Sequence, residues 1–226
     1  MSPLPLERPL REAAALLLHA LWPVSCPLCG RLGQVLCPDC TSALFAPLLP
    51  RCLSCGAVSP CRTHPNAPMI RAAALYGGDI SRVILQLKYA GCRALGARLG
   101  AGMAALWPPP AADFLVPVPL HIGSSRNYNQ ALEIARGLGR AWDIPVLDAA
   151  RWTAVLPART GLSRSERQSL RPDAFTLSRE VAGRRVVLVD DVCTTGTTLS
   201  CLAAACRSAG AVVQGACVAA GSAGTA

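Results

Sequence analysis

The sequence predicts an α/β protein, a mainly parallel sheet flanked by helices, with a small cysteine-rich module ahead of it. Three observations carry this expectation. Aliphatic runs at 113–121 ("DFLVPVPLH") and 184–189 read as buried strands, and segments with apolar residues at helical spacing alternate with them. Seven of the twelve cysteines crowd between Cys26 and Cys61, where Pro and Gly are frequent and periodicity is weak. A composition 52% hydrophobic and 15% charged, over 226 residues, suits one ordinary folded domain with something small beside it.

Taken in order, residues 8–21, which take in the apolar run of "REAAALLLHALWPVSC", read as a short amphipathic helix, the N-terminal element of a 1–21 segment. The apolar stretch is too short to span a bilayer. Glu7 and Glu12 stand where a secretory leader would carry basic residues, so the expectation is a cytoplasmic protein without membrane insertion. Residues 22–66 form the cysteine module, and 72–221 the α/β domain. Within the domain, helical patterns lead to the 113–121 strand. "NQALEIARGLGRAW" then gives a helix, and a short strand follows around Val146. After an arginine-rich polar stretch come the strand 184–189, a helix from about Thr198 to Ser208, and a last strand in "AVVQGACVAA".

In the module, "CPLCGRLGQVLCPDC" places Cys26, Cys29, Cys37 and Cys40 as two Cys-x-x-Cys pairs. Each pair can wrap a tetrahedral ion from one tight turn, and four thiolates suit structural zinc, with an iron–sulfur cluster as the lesser alternative. Pro38 can open a helix. "CLSCG" and "CRTH" add Cys52, Cys55, Cys61 and His64, a second, Cys₃His set. Each set can hold its own ion, or the pairs can interleave. Either way the metal replaces a core that so short a segment cannot build. Clustered thiols of this kind point to metal in a reducing compartment rather than to a disulfide framework.

The segment "RVVLVDDVCTTGTTL" reads as a buried strand running into Asp190 and Asp191 and then into a small-hydroxyl loop at a helix start. Ligands of open α/β sheets lie at the carboxyl ends of strands. Thr194, Thr195, Gly196, Thr197 and Thr198 would present backbone N–H groups and hydroxyls at the positive end of a helix dipole, an anion site. Paired carboxylates beside a phosphate loop suit a ribose 5-phosphate, its vicinal hydroxyls donating to the acids.

These residues resemble the phosphoribosyl pyrophosphate (PRPP) signature of type I phosphoribosyltransferases. "CPLCG", "CPDC", "LKYAG", "VPVPLH", "RNYNQA", "GLSRSERQSLRPDAF" and "VVLVDDVCTTGTTL" occur in the order found in the ComF family, over about residues 16–219. The resemblance implies a type I phosphoribosyltransferase fold with an N-terminal zinc module, and Mg²⁺ accompanying PRPP. It implies that Asp190 and Asp191 hold the ribose and that Thr194–Thr198 hold the 5-phosphate. It places His121, Arg126, Asn127 and Asn129 in a pyrophosphate loop, Lys88 within reach of pyrophosphate, and Arg164 and Arg167 in a loop that closes over substrate. The chain departs from the family pattern at Asn127, where glycine is usual. It departs again at Arg159 (usually Gln), Ser169 (usually Asn) and His64 (commonly Cys).

The formal charge is +9 and Lys88 is the one lysine. Residues 151–185 hold eight arginines and three acids, so over half of the surplus lies around the expected closing loop. Such a surplus fits an anionic partner. Two classes of function follow: transfer of phosphoribose from Mg·PRPP to an acceptor with release of pyrophosphate, or, as the family name implies, assistance to single-stranded DNA import together with the DNA-uptake machinery. A PRPP sensor without catalysis is the third reading. Single-strand binders interleave aromatics along a basic track, and here aromatics are 4% of the chain.

Overall fold

The computed structural model describes residues 24–153 and 174–222. The expected helix 8–21 and the loop with Arg164 and Arg167 lie outside the described residues.

Helix α1 (Pro38–Leu44) and strand β1 (Arg51–Cys52) belong to the cysteine module. Then follow β2 (Met69–Ala72), α2 (Gly78–Tyr89), α3 (Arg93–Ala104), β3 (Phe114–Pro117) and α4 (Gln130–Trp142). The rest comprises β4 (Ala150–Trp152), β5 (Phe175–Leu177), β6 (Arg185–Cys193), α5 (Thr197–Ser208) and β7 (Val212–Gly221). One sheet runs β1-β2-β7-β6-β3, parallel throughout except for the edge pair β1–β2. The strand expected near Val146 is a single parallel bridge to Leu115. β4 and β5 form a separate antiparallel pair.

Alternation along β6 explains why its run is aliphatic on both sides. Val187 and Val189 enter one core with Leu87 of α2, Leu99 and Met103 of α3, and Ile134 and Leu138 of α4. Val186 and Leu188 enter the other, with Leu199 and Leu202 of α5, Trp152 and Phe175. Cys26, Leu36, Cys37 and Leu44 join the first core, whereas Leu53 and Ile70 join the second. The cysteine module thus clasps the sheet, one set toward each face.

Helices α3 and α4 pack backbone to backbone. A Cβ on Gly100 would stand 2.1 Å from the Ile134 carbonyl oxygen, and one on Gly137 2.2 Å from that of Ala97. The polar entry to α4 is secured by Asn129, whose Oδ1 accepts from the N–H groups of Ala131 and Leu132 at 3.0 and 3.4 Å.

β6 runs further than the aliphatic run suggests. It pairs with β3 only as far as Val189 but with β7 to the Cys193–Gly221 pair. The longer partner carries the strand through both aspartates, so these stand on a ladder rather than in a loop.

Candidate functional site

At the carboxyl edge of the sheet, Val118 N–H donates to the Val189 carbonyl at 2.8 Å, and β6 emerges beyond this bond. The next two residues are Asp190 and Asp191. Strand alternation sends them to different sides. Asp191 follows Val187 and Val189 toward the helices α2–α4, where Lys88 Nζ in the last turn of α2 meets its Oδ2 at 2.9 Å. Asp191 is 8% exposed, so this is a largely desolvated ion pair, stiffer than a surface one. Asp190 follows Val186 and Leu188 toward α5. Its Oδ1 accepts from the Asp191 N–H at 2.8 Å. Burial, and then the charge of Asp191, push the Asp190 carboxyl well above the usual carboxylate range.

The loop from Thr194 to Gly196 turns β6 into α5. Gly196 has φ +77° and is the N-cap residue, with no side-chain cap. Its left-handed backbone is one that other residues adopt reluctantly. Thr195 Oγ1 lies 2.9 Å from Thr197 Oγ1, and Thr194 and Thr195 are exposed. The loop is tied down from behind. Ser222 Oγ donates to the Thr194 carbonyl at 2.7 Å, and Ser222 N–H donates to the Cys193 carbonyl at 3.0 Å. Burial raises the Cys193 thiol to about 11, so it is a neutral filler under the loop. The first turn of α5 leaves N–H groups directed at the open end, as an anion site requires.

Of the residues expected to serve pyrophosphate, Lys88 is brought to the aspartates. The others take up local positions in the loop after β3. Arg126 is held by Ser124 Oγ at 3.0 Å and Gln130 Oε1 at 2.8 Å. Asn129 caps α4, and its Nδ2 also donates to the Val118 carbonyl at 2.9 Å. Asn127 is exposed, and its carbonyl accepts from Arg93 at 3.3 Å. His121 stacks at 5.1 Å and 53° against Trp152, whose Nε1 donates to the Pro119 carbonyl at 3.0 Å. His121 Nδ1 is 2.8 Å from the Ile122 carbonyl oxygen, while its buried Nε2 has no hydrogen-bond partner among the described residues. Tyr128 O–H donates to the Leu87 carbonyl, joining this loop to the turn of α2 that carries Lys88. Ser222 and Trp152 have no part in the sequence expectation. Ser222 in particular sits 28 residues from the loop it ties, with no local pattern to mark it.

Two separate sets of metal-ligating side chains form. The ligand atoms of Cys26, Cys29, Cys37 and Cys40 all lie within 4.8 Å of one another, as do those of Cys52, Cys55, Cys61 and His64. The pairs therefore do not interleave. Atoms held at ~2.3 Å from one tetrahedral centre stand ~3.8 Å apart. Here Cys29–Cys37, Cys55–Cys61 and Cys61–His64 Nδ1 are separated by 3.6, 3.5 and 3.7 Å. These spacings fit a four-coordinate ion and are far too long for disulfides. The knuckles repeat one geometry. Gly30 N–H donates to the Cys26 carbonyl at 2.9 Å, Gly56 N–H to that of Cys52 at 2.8 Å, and the glycines have φ +75° and +76°. Each set favours the thiolate at one cysteine and the thiol at another: the hydrogen bond with Cys37 pushes Cys40 up, and, against the lowering Ala57 N–H, Cys61 pushes Cys55 up. Burial raises Cys26, but N–H groups from Cys37, Cys29 and Leu28 outweigh it and bring the thiol to about 6. His64, through its backbone and then its ring, brings Cys61 to about 6.

Comparison with known proteins bears on this arrangement. The phosphoribosyl transferase domain family matches residues 134–226. Competence protein F of Haemophilus influenzae is 38% identical over 94 residues, covering 39% of this chain and 41% of that protein, so the match spans less than half of that relative's length. The DNA utilization protein YhgH of Salmonella typhi is 30% identical over 195 residues, 77% of this chain and 80% of that protein. Among solved structures, an allosteric regulatory enzyme of purine biosynthesis superposes with TM-score 0.40 at 27% identity, over 56% of this chain and 25% of its own. With the cysteine sets ahead of a mainly parallel sheet, and Asp190–Thr198 at its edge, the chain belongs to the ComF family of phosphoribosyltransferase-like proteins.

Proposed function

We propose that this protein binds Mg·PRPP at the carboxyl edge of β6 and transfers phosphoribose to an acceptor, releasing pyrophosphate. The observation that carries the reading is the continuous run from two aspartates on a strand into a glycine-hinged loop at a helix N-terminus, with Lys88 paired to Asp191. In this reading the Thr194–Thr198 loop accepts the 5-phosphate, and Asp190 and Asp191 accept hydrogen bonds from the ribose hydroxyls. A diol entering the site takes a share of Asp191, which loosens Lys88 and leaves its ammonium to meet charge on the departing pyrophosphate. The loop of His121, Arg126, Asn127 and Asn129, and the arginines Arg164 and Arg167, enclose that leaving group. Neutralising its charge stabilises an oxocarbenium-like state at C1. Mg²⁺ would contribute Lewis acidity at the pyrophosphate oxygens.

Structural zinc fits both cysteine sets by donor chemistry and spacing, and metal-thiolate sites suit a reducing, cytoplasmic setting. Among the described residues no helix is long and apolar enough to cross a membrane. The segments 1–21, 22–66 and 72–221 then serve as an N-terminal helix, the zinc module and the transferase domain.

The test is a calorimetric titration of Mg·PRPP into the zinc-loaded protein beside the Asp190→Asn/Asp191→Asn double variant. Saturable binding, abolished in the double variant, is expected. Wild-type protein that shows no heat at millimolar ligand would overturn the reading. The relatives' names, competence and DNA utilization, favour a second role in single-stranded DNA import alongside the uptake machinery, with the pocket as a PRPP sensor. That role predicts salt-dependent binding of an oligonucleotide that survives the double substitution.

A further inference from the structure

We infer that Arg51, in the second metal knuckle, supplies the cation for the phosphate loop, so that the Cys52/Cys55/Cys61/His64 set is built into the ligand site. This rests on the reading of Thr194–Thr198 as a 5-phosphate loop. A phosphate there faces an electrostatic deficit. From Asp191 to Cys206 the chain contains no lysine or arginine, and Asp190 and Asp191 precede the loop. Lys88 pairs with Asp191 on the far side of β6, and its proposed role is toward pyrophosphate. A counter-charge has to arrive from another element.

The sheet brings Arg51 there. It stands directly opposite Ile70 in the β1–β2 pair, and opposed residues share a face. Ile70 belongs to the core beneath α5, and its Cδ1 lies 3.6 Å from the Cβ position of Gly196. Two residues past Arg51, the Leu53 carbonyl accepts from Ser200 Oγ at 2.7 Å, which pins the knuckle to the first turn of α5. The Arg51 charge reaches the Cys193 thiol at the root of the loop, drawing it down against the larger push of burial. Its neighbour Arg71 leaves the opposite face, into a groove with Pro108, Pro109 and Trp142.

The knuckle also aims the side chain. Arg51 Nη1 donates to the carbonyl of Gly56, the knuckle glycine, at 3.0 Å. A guanidinium carries five N–H donors in a fixed fork, so this anchor leaves most of the fork for a phosphate. The half-buried position limits competition from water.

The experiment is a pair of titrations on zinc-loaded protein, one with ribose 5-phosphate and one with magnesium pyrophosphate, for wild type, Arg51→Gln and Arg51→Met. Loss of a charge-assisted phosphate contact weakens ribose 5-phosphate by about tenfold or more and leaves pyrophosphate affinity unchanged. Methionine keeps an apolar stem against Ile70, so it reports charge loss should glutamine disturb the knuckle. Ribose 5-phosphate binding within twofold of wild type in either folded, zinc-retaining variant overturns the inference and leaves the proposed function intact. Wild-type protein that binds neither ligand overturns both.

Discussion

Asp190 concentrates the tension between folding and the proposed ligand recognition in one side chain. It stands on the α5 side of β6, where burial and the adjacent Asp191 charge raise its carboxyl. A raised acid favours the fold in its protonated form. Its contribution is present below the ordinary carboxylate pKa and is lost as pH rises through the raised value. Asp190→Asn keeps an oxygen to accept the Asp191 N–H and removes the charge. The ligand-free variant should therefore exceed wild type in stability at about pH 9, on the order of 1 kcal/mol, and converge with it near pH 4. Thermal melts across this range read the difference, and parallel curves at all pH values would refute it. Asp113 has the opposite sign. The Arg185 guanidinium, and then the Arg185 N–H, hold it down to about 2. Its contribution is present above the ordinary value of 3.8 and is lost as pH falls toward 2, so Asp113→Asn should flatten the acid limb of the stability curve between these points. The aspartates and the threonine loop were legible in the sequence because their chemistry is contiguous. Arg51, Ser200 and Ser222 were not, because each reaches its partner through sheet register or from tens of residues away.

The helix pair α3–α4 turns on absent side chains. Gly96, Gly100 and Gly137 allow the two backbones to meet, and any Cβ at Gly100 or Gly137 enters a neighbouring main chain. Gly100→Ala should cost about 1–3 kcal/mol through overpacking, despite the better helix propensity of alanine. A urea unfolding midpoint at or above that of wild type would contradict this close packing. Elements were legible where patterning was strong. The amphipathic α4 and the aliphatic β6 declared themselves. β1, β2 and β4 run only 2, 4 and 3 residues, too short for a periodic signal; β1 and β2 exist because longer neighbours pair with them, and β4 because the equally short β5 does. The extent of β6 past Val189 was hidden for the same reason, since it depends on β7.

Across the whole molecule, the two ligand sets secure opposite faces of one sheet. They should bind independently, two metal ions per chain. Cys26→Ser should release one ion and Cys52→Ser the other, read by metal analysis of the purified variants. A single shared ion, lost whole in either variant, would contradict the separation. Removal of both ions by a strong chelator should lower the melting temperature, because the docked segments lose the ligation that organises them. That the thiols of the cysteine module could gather into metal-ligating sets was legible from Cys-x-x-Cys spacing. The closure of each set on itself, and the choice of face, depend on β1 pairing with β2 and on α1 packing over Gly102, which spacing does not encode.

The Ser200–Leu53 bond links residues 147 apart in sequence, and β2 is flanked on its inner side by β7, the last strand described. On a ribosome the knuckle emerges early and can capture its ion by closing short loops. Its docking surface is not yet made. During synthesis of the intervening residues a bound ion would shield the ligand thiols and preserve a local shape. Only when β7 is released does the sheet close and bring the early knuckle against the later strands. Assembly of the β6–α5 edge therefore waits for β7, as a consequence of chain order.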